Sequence, residues 1–334
     1  MRHITKTLLG IGLAGASLLA ATSAYADTDV KFQLNWYAGG ANAGFAAALQ
    51  EGYYKDAGLN VTIIQGNGSA NTAQLVASGQ ADLAYADAVA VSQLIAKGAP
   101  MKVVATVYQS NPNEVEALKS SGITSIADLK GKKIGVPAGS SQVTMLPLFL
   151  DANNLKESDV NLLNMPTASM VPALLQKQVD AILGSVDDYH IQLDSQGADV
   201  TGFMFADHGV PTVSTSIFAS EEFIKDNPDV LKKFISASLK GWGFALKNSD
   251  QAVADLKKTF PDVDTKLAAQ QLAAIPPLFC SGGTKYIGKA TDAHWSQTQD
   301  LLSKVGLLPE GKDPTMYYTN DYLPPESELE PCNQ

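Results

Sequence analysis

The feature that most constrains the fold of this chain is the alternation of short apolar runs with helical segments of about ten residues. Strands are predicted at 30–34, 61–64, 81–85 and 102–108, and helices between them at 45–51, 71–78 and 88–96. Parallel strands need a helical crossover between them. The pattern therefore predicts an α/β unit with a mostly parallel sheet that helices cover on both faces.

The same pattern starts again near residue 114. Strands are predicted at 132–136, 160–163 and 179–184, and helices at 125–131, 142–153 and 171–177. A strand at 213–219 is expected to rejoin the first unit, and residues 220–305 are mainly amphipathic helix. We therefore predict a first lobe built from 27–110 and 209–334 and a second lobe built from 111–208.

Two crossings, near 109–114 and 205–213, would then join the lobes. Two lobes connected in this way can close on a ligand by hinge motion. In sheets of this kind, ligands bind beyond the carboxyl ends of the parallel strands. The residues that follow the predicted strands are therefore the candidates for a binding site.

The first 26 residues have the pattern of a secretory signal peptide. Arg2 and Lys6 are basic, residues 8–20 form an apolar run too short to span a bilayer, and residues 24–26 (Ala-Tyr-Ala) match a small-x-small cleavage site. An uncleaved anchor or a buried first helix is the alternative. No cysteine lies near the cleavage point, so we expect no lipid attachment. The chain from Asp27 onward is predicted to be periplasmic.

The charge of the chain excludes some classes of partner. The formal net charge is −10, and cleavage of the signal would make it −12. No cluster of basic residues is present, which argues against nucleic acid. Arg2 is the only arginine, so a buried anion would have to be held without a bidentate guanidinium group. No run after residue 26 approaches the 18 or so apolar residues of a membrane span.

The two cysteines, Cys280 and Cys332, both lie late in the chain. An even number of cysteines in an oxidising compartment predicts one disulfide, here tying the Pro- and Glu-rich tail to the body. Two unpaired thiols are the alternative. Neither cysteine belongs to a CxxC pair or lies near a histidine cluster, so the sequence predicts no zinc or other metal site.

Aromatic residues recur at the predicted strand ends. Trp36 follows Asn35 after the first strand, and Tyr85, Tyr108 and Tyr189 follow later strands. Flat rings around a cleft can stack on a flat ligand, which favours a heteroaromatic guest. Ordinary packing in the core or between the lobes is the alternative for each ring.

Two further groups of strand-end residues carry polar chemistry. Gly139, Ser140, Ser141 and Gln142 open a predicted helix, where backbone N–H groups and hydroxyls can receive a ligand oxygen, although a simple N-cap is the alternative. Residues 66–69 form a similar but weaker candidate. The carboxylates of Asp87, Asp187 and Asp188 can accept a hydrogen bond from an amino group, with a solvated or capping role as the alternative.

Nothing in the sequence predicts catalysis or a bound cofactor. The histidines are His3, His190, His208 and His294, and none belongs to a nucleophile–base or metal-ligating motif. His190 follows Tyr189 and is interpreted as a surface or structural residue more readily than as part of the cleft. We therefore predict a binding protein and not an enzyme.

Several segments resemble periplasmic solute-binding proteins of ABC importers, in the NMT1/THI5-like branch that contains thiamine-pyrimidine binders and lies near the taurine and alkanesulfonate binders. The segments that carry the resemblance are 34–36, 44–45, 51–61, 78–84 and 128–140. The resemblance implies a type II periplasmic-binding fold and delivery of the ligand to an inner-membrane permease with a cytoplasmic ATPase. It also implies that Asn35, Trp36 and residues 139–141 line the pocket, in a protein expected to be monomeric.

The resemblance leaves the ligand open. A thiamine-precursor pyrimidine is favoured, a sulfonate, taurine or a flavin is the alternative, and a sensor role beside transport stays open. Fungal enzyme members of the branch make the thiamine pyrimidine and carry a cysteine-rich motif near an iron site. This chain has only Cys280 and Cys332, so an enzyme of pyrimidine synthesis is the least favoured reading.

Overall fold

The computed structural model describes residues 27–332, so the predicted signal segment 1–26 lies outside the described part. The chain forms ten strands in two five-stranded sheets. The strands are β1 (Thr28–Leu34), β2 (Leu59–Ile64), β3 (Leu83–Asp87), β4 (Met101–Thr106), β5 (Asn113–Leu118), β6 (Lys133–Pro137), β7 (Asn161–Met165), β8 (Ala181–Ser185), β9 (Val200–Met204) and β10 (Thr215–Ser220).

Helices connect the strands and cover the sheets. They are α1 (Ala43–Gln50), α2 (Tyr53–Asp56), α3 (Ser69–Ala77), α4 (Ala88–Ala96), α5 (Ser141–Ala152), α6 (Met170–Leu175), α7 (Tyr189–Ser195), α8 (Glu221–Asp226), α9 (Pro228–Lys247), α10 (Ser249–Thr259), α11 (Thr265–Ala274), α12 (Pro276–Phe279) and α13 (Asp292–Lys304). Eight short 3₁₀ turns lie between them, of which Gly40–Asn42 and Ile126–Leu129 matter below. No helix among residues 27–332 is both long and apolar enough to cross a membrane.

The two sheets share one topology. The strand orders are β2-β1-β3-β10-β4 and β7-β6-β8-β5-β9. In each sheet the fourth strand, β10 or β5, runs antiparallel to both neighbours and the other four share one direction. We call the part of the chain around the first sheet the first lobe and the part around the second sheet the second lobe. The expected two-lobed α/β fold is confirmed, and the strand predicted at 213–219 does rejoin the first sheet as β10.

Several predicted elements were wrong in detail. The sequence analysis missed β5 and β9; in β5 the acids Glu114 and Glu116 interrupt the apolar pattern that marks a strand. The helix expected at 125–131 is a 3₁₀ turn, Ile126–Leu129. The strand expected at 102–108 ends at Thr106, since the chain there leaves the sheet for the second lobe.

The core of the first lobe forms where α1 and α9 pack on the sheet. Phe32 of β1, Phe45 of α1 and Phe234 of α9 are fully buried, and both ring pairs with Phe32 have centroids 4.8 Å apart. Gly44 allows the close approach of α9, because a Cβ there would lie 2.2 Å from the ring of Trp242. This packing fixes the position of β1 and of the loop after it.

The chain passes between the sheets twice, through residues 107–112 and 205–214. The two crossings touch, because the side-chain amide of Asn111 donates to Thr212 Oγ1 at 3.2 Å and both residues are fully buried. The C-terminal segment holds them on the first-lobe side. The Leu278 carbonyl accepts from the backbone N–H of Gln109 at 2.7 Å, and Thr298 Oγ1 accepts from that of Val213 at 3.0 Å.

The C-terminal tail is tied down by a disulfide. Cys280 and Cys332 are bonded to each other, as the cysteine count suggested, and the described residues contain no free cysteine. The tail runs along the edge strand β4, where Val103 and Tyr318 form a β-bridge. The outer edge of the first sheet is therefore covered by the chain itself.

Candidate ligand-binding site between the two lobes

A cavity of about 410 Å³ lies between the lobes at the carboxyl ends of β1, β3 and β8. Its volume falls in the range of small-molecule sites. Eleven of the twelve residues named individually as candidates line it, and they come from both lobes. These are Asn35, Trp36, Tyr85, Asp87, Tyr108, Ser140, Ser141, Gln142, Asp187, Asp188 and Tyr189. The structure thus brings the predicted residues together, while their contact with a ligand stays a prediction.

Gly139 is the exception, because it does not line the cavity. It lies where the lobes touch: a Cβ on Gly68 would be 2.6 Å from the Gly139 carbonyl oxygen. Both glycines have positive φ, +138° and +76°, which residues with side chains rarely adopt. Gly139 therefore lies against Gly68 of the other lobe, and its contact with a ligand stays a prediction.

The first-lobe wall contains a connected polar group around Asp87. Ser69 Oγ accepts from the Asn35 side-chain amide and from the Asp87 backbone N–H, both at 3.2 Å. The Asp87 carboxylate accepts from the Val89 N–H at 2.8 Å and from the Ser214 hydroxyl at 3.0 Å, so it caps α4. Burial raises its pKa, and these hydrogen bonds partly offset the rise. Asp87 therefore shapes the wall through bonds that are already made.

Tyr85 and Tyr108 present hydroxyls and not ring faces. Both rings are buried in the first-lobe core, 6.4 Å apart in an edge-to-face arrangement, and Tyr108 also packs on Phe279. The expectation that their faces stack on a ligand is thus wrong for this arrangement. Burial, reinforced by the nearby Asp187 carboxylate, raises the pKa of both hydroxyls. They are neutral donors at physiological pH.

Four buried polar atoms of the cavity-lining residues have no hydrogen-bond partner within residues 27–332. They are the hydroxyls of Tyr85, Tyr108 and Ser140 and the side-chain amide nitrogen of Asn113. The alternative reading of Ser140 as a side-chain N-cap does not hold, since it makes no capping bond to α5. An unpaired buried polar group costs about 1–3 kcal/mol. These atoms come from both lobes, and hydrogen bonds to them would contribute most to the binding free energy of a polar ligand.

Trp36 and Tyr189 meet edge to face and not in parallel. Their ring centroids are 6.4 Å apart with an interplanar angle of 68°, and the Tyr189 hydroxyl donates to the Thr167 carbonyl oxygen at 3.2 Å. Trp36 also meets the exposed ring of Tyr37 at 6.0 Å. Of the four predicted aromatics, Trp36 is the one whose ring is only half-buried at the cavity.

Asp187 and Asp188 lie in the turn after β8, just beyond the strand end where they were predicted. Burial raises the pKa of Asp187, which lies near the Tyr108 hydroxyl. The Asp188 carboxylate accepts from Trp36 Nε1 at 2.9 Å, from Gln192 at 2.7 Å and from Gln271 at 3.1 Å. Desolvation, with Asp187 nearby, raises the pKa of Asp188 to about 6, although these donors lower it.

The charge of the cavity wall has one sign. Five aspartates line it, namely Asp87, Asp187, Asp188, Asp262 and Asp264, whereas no lysine, arginine or histidine does among the described residues. Sequence reasoning missed Asn113 and Gln271. No local pattern marks either residue, because Asn113 begins the unrecognised β5 and Gln271 lies far along the chain on α11.

His190 is a structural residue outside the cavity, as its preferred interpretation held. Its Nδ1 lies 2.5 Å from the buried Glu114 carboxylate, and this contact raises the pKa of His190. The neighbouring Glu116 is fully buried with both carboxylate oxygens unpaired, and burial raises its pKa well above the usual range. No group of His, Cys, Asp and Glu within residues 27–332 has the arrangement of a metal site.

The structure is similar to solved periplasmic binding proteins. The alkanesulfonate-binding protein SsuA from Xanthomonas axonopodis pv. citri, bound to MOPS, superposes with a TM-score of 0.70 at 17% identity, covering 89% of this chain and 99% of that one. The fold is therefore the two-lobed fold of periplasmic binding proteins. The sequence gives the family: the NMT1/THI5-like model matches residues 41–252, more than half of the chain. This chain belongs to the NMT1/THI5-like family.

Curated relatives carry mainly binding functions in their names. The riboflavin-binding protein RibY of Chloroflexus aurantiacus is 30% identical over 84% of this chain and 82% of its own length. The formylaminopyrimidine-binding protein of Halalkalibacterium halodurans is 27% identical over 75% and 76%. One relative has an enzymatic name: the 4-amino-5-hydroxymethyl-2-methylpyrimidine phosphate synthase of Legionella pneumophila is 23% identical over 90% and 95%.

Proposed function

We propose that this chain is the extracytoplasmic substrate-binding component of an ABC importer and that it captures an amino-bearing heteroaromatic solute, such as a thiamine-precursor pyrimidine. The observation that carries the proposal is the cavity wall, which combines five aspartates with unpaired hydroxyls and offers no cationic side chain. The unpaired hydroxyls and the Asp187 carboxylate, which none of the hydrogen bonds described above occupies, can accept from ring amino groups. The half-buried ring of Trp36 supplies an apolar surface for the heterocycle.

The same wall disfavours a sulfonate. An anion placed in a partly desolvated cleft beside several carboxylates is repelled, and no guanidinium or ammonium group is present to compensate. The likeness to SsuA lies in the fold, at 17% identity. A flavin is the second candidate, because a riboflavin-binding relative matches 84% of this chain. Both favoured ligands are flat, nitrogen-rich rings.

The proposal includes delivery and not chemical conversion. Among the described residues that line the cavity there is no histidine or cysteine, and the histidine nearest in sequence, His190, contacts Glu114 outside the cavity. We propose that the protein is exported, that its signal peptide is cleaved after residue 26, and that it acts as a monomer with no cofactor. It would deliver its ligand to an inner-membrane permease driven by a cytoplasmic ATPase. The lobe boundaries 27–110, 111–208 and 209–334 belong to the same proposal.

A thermal-shift panel on the refolded, ligand-free protein tests the ligand class. The panel contains 4-amino-5-hydroxymethyl-2-methylpyrimidine, riboflavin, taurine and an alkanesulfonate. A true ligand at a hundredfold excess over Kd stabilises the folded protein by about 2.7 kcal/mol. We expect the heteroaromatic compounds to raise Tm and the sulfonates to leave it unchanged. A response to sulfonates alone contradicts the ligand class, and turnover of the bound compound contradicts the binding-protein class.

Replacing Trp36 tests the site itself. Trp36→Ala removes the half-buried ring from the cavity wall and should weaken binding of the panel hit by about 1–3 kcal/mol, the scale of base–aromatic stacking. Isothermal titration measures the change in Kd. Tyr53→Ala is the matched control, because that ring is also half-buried but does not line the cavity. An unchanged Kd in Trp36→Ala would remove Trp36 from the ligand-binding surface.

A further inference from the structure

The carboxylate of Asp188 connects the two lobes across the cleft. Asp188 belongs to the second lobe, in the turn before α7, and two of its three hydrogen-bond donors belong to the first lobe. Trp36 Nε1 donates to one carboxylate oxygen at 2.9 Å, and Gln271 Nε2 donates to the other at 3.1 Å. The third donor, Gln192 of α7, shares that second oxygen at 2.7 Å. Both oxygens are therefore already occupied within the chain.

The orientation of Gln271 is set by a second bond on the first-lobe side. Its Oε1 accepts from the backbone N–H of Gly40 at 2.9 Å, which leaves Nε2 directed at Asp188. Two glycines make room for this arrangement. A Cβ on Gly39 would lie 2.5 Å from Gln271 Oε1, and a Cβ on Gly40 would lie 2.4 Å from the Ala268 carbonyl oxygen. The loop that follows Trp36 and the helix α11 thus form one prepared surface against which Asp188 docks.

The Trp36 side chain depends on this contact. Its indole N–H donates to Asp188 and to no other group among the described residues. Its backbone follows β1 of the first lobe, while its ring packs beside the apolar cluster of the second lobe that includes Tyr189 and Leu193. The indole can therefore hold its observed orientation only while the lobes are together.

We infer that Asp188 is a positioning residue, through which closing of the lobes fixes the Trp36 ring at the cavity wall. The inference rests on the proposed function, because it assigns Trp36 to the ligand-binding surface. Three internal donors already take three of the roughly four acceptor positions of the Asp188 carboxylate. In this role it converts an interlobe contact into a defined ring orientation at the site.

Acrylamide quenching of tryptophan fluorescence tests the inference without any ligand. The chain has three tryptophans, and Trp242 and Trp295 are fully buried, so the quencher reports mainly on Trp36. In Asp188→Asn, one acceptor oxygen is replaced by an NH₂ group, which cannot accept from Trp36, Gln192 or Gln271. We expect quenching to increase in Asp188→Asn. Asp194→Asn, which removes one charge from the exposed side of the same helix, is the matched control and should quench as the wild type does.

Gln271→Ala tests the same contact without changing Asp188, in case Asp188→Asn disturbs folding. It removes the first-lobe donor from the opposite side and should increase quenching in the same direction. Equal quenching in the wild type, Asp188→Asn and Gln271→Ala overturns the inference. A far-UV circular dichroism spectrum and Tm for each variant separate a local change from loss of fold.

Ligand affinity supplies the second measurement, with 4-amino-5-hydroxymethyl-2-methylpyrimidine as the probe. We expect Kd to rise about tenfold in Asp188→Asn, the scale of one lost hydrogen bond to a charged group. Trp36→Phe keeps a ring but lacks the N–H, so adding Asp188→Asn to Trp36→Phe should raise Kd by less than it does in the wild type. Full additivity of the two changes overturns the positioning role. Absence of probe binding to the wild type counts against the proposed ligand, and the quenching result still decides the role of Asp188.

Discussion

The two lobes share a topology but differ in what they place at the antiparallel fourth strand. In the first lobe, β10 carries no ionisable residue, and the Ser214 hydroxyl just before it donates to Asp87. In the second lobe, β5 carries the buried Glu114 and Glu116. Gly184 and Gly202 make room for these acids, because a Cβ on either would lie about 2 Å from a glutamate oxygen. One topology therefore supports a fourth strand without acids in the first lobe and a fourth strand with two buried acids in the second.

The lobes also differ at their edges. The β4 edge of the first sheet is covered by the C-terminal tail, which the Cys280–Cys332 disulfide closes. The opposite edges, β2 and β7, are alike, since Ile64 is 39% and Leu163 41% exposed, so the difference between the lobes lies in the tail along β4. The tail and the disulfide thus brace the first lobe. We expect the stability of the second lobe to depend more on pH, and its position to depend on contact with the first lobe. The following predictions test that difference, from the largest expected effect to the smallest.

Removing the disulfide should weaken the first lobe most. The combined substitution Cys280→Ser and Cys332→Ser reopens a loop with a sequence separation of 52 residues. The chain-entropy model assigns about 4 kcal/mol to such a crosslink. We expect the free energy of unfolding to fall by this order, measured by guanidinium denaturation with tryptophan fluorescence. The wild type in reducing buffer is the parallel sample, and an unchanged midpoint in both would show that the tail contributes no bracing.

Obstructing the contact between the lobes should weaken ligand binding. Gly68→Ala places a Cβ 2.6 Å from the Gly139 carbonyl oxygen, so the lobes cannot approach as closely. We expect Kd for the panel hit to rise about tenfold, roughly 1.4 kcal/mol. Gly79→Ala is the matched control, since Gly79 also has positive φ but a Cβ there would meet no atoms within 4 Å. Equal effects of the two substitutions would mean that backbone conformation, and not the interlobe contact, is responsible.

Neutralising Glu116 should stabilise the second lobe at high pH. Burial raises the pKa of Glu116 well above the unfolded value, so its ionised form is penalised only in the folded protein. Glu116→Gln cannot ionise, and we expect a gain on the order of 1 kcal/mol at pH 8 that shrinks toward pH 5. Calorimetric Tm measures it. Glu157→Gln, in an exposed turn, is the control, and a larger gain at pH 5 than at pH 8 would contradict the assignment.

The whole protein should be slightly more stable in mild acid than at pH 8. The acids Asp87, Asp187 and Asp188 have higher pKa values in the folded protein than in the unfolded chain. The folded state therefore takes up protons first as the pH falls, and this uptake stabilises it. His190, with a raised pKa, acts in the same direction, and its contribution is lost as pH rises through its folded pKa. His294, whose pKa burial lowers, opposes them. A Tm that falls steadily from pH 8 to pH 5.5 would contradict this balance.

Much of the fold follows from sequence because its strands and helices repeat with regular spacing. The α4 prediction at 88–96 matches the observed helix, since Asp87 caps its first turn. The strand β5 was missed because burying Glu114 and Glu116 depends on glycines that lie far along the chain, at 184 and 202. Local propensity carries no information about such long-range accommodation.

The site was predictable where it depends on strand ends and unpredictable where it depends on orientation. Trp36 and Tyr85 both reach the cavity, yet the Tyr85 ring lies in the core, because packing against Phe45 determines its direction. Gln271 enters from a helix whose placement only tertiary packing sets. The sequence pattern therefore predicts which residues line the cavity. Packing of neighbouring side chains determines which of their atoms face it.

The hydrogen bonds from the C-terminal segment to both crossings determine which lobe we expect to move. Leu278 and Thr298 anchor residues 109 and 213 to the first lobe, and the Asn111–Thr212 bond lies just beyond those anchors. We therefore expect any rotation between the lobes to occur in the short stretch between these anchors and the second sheet. Residues 113–204 would then turn as one body relative to the first lobe.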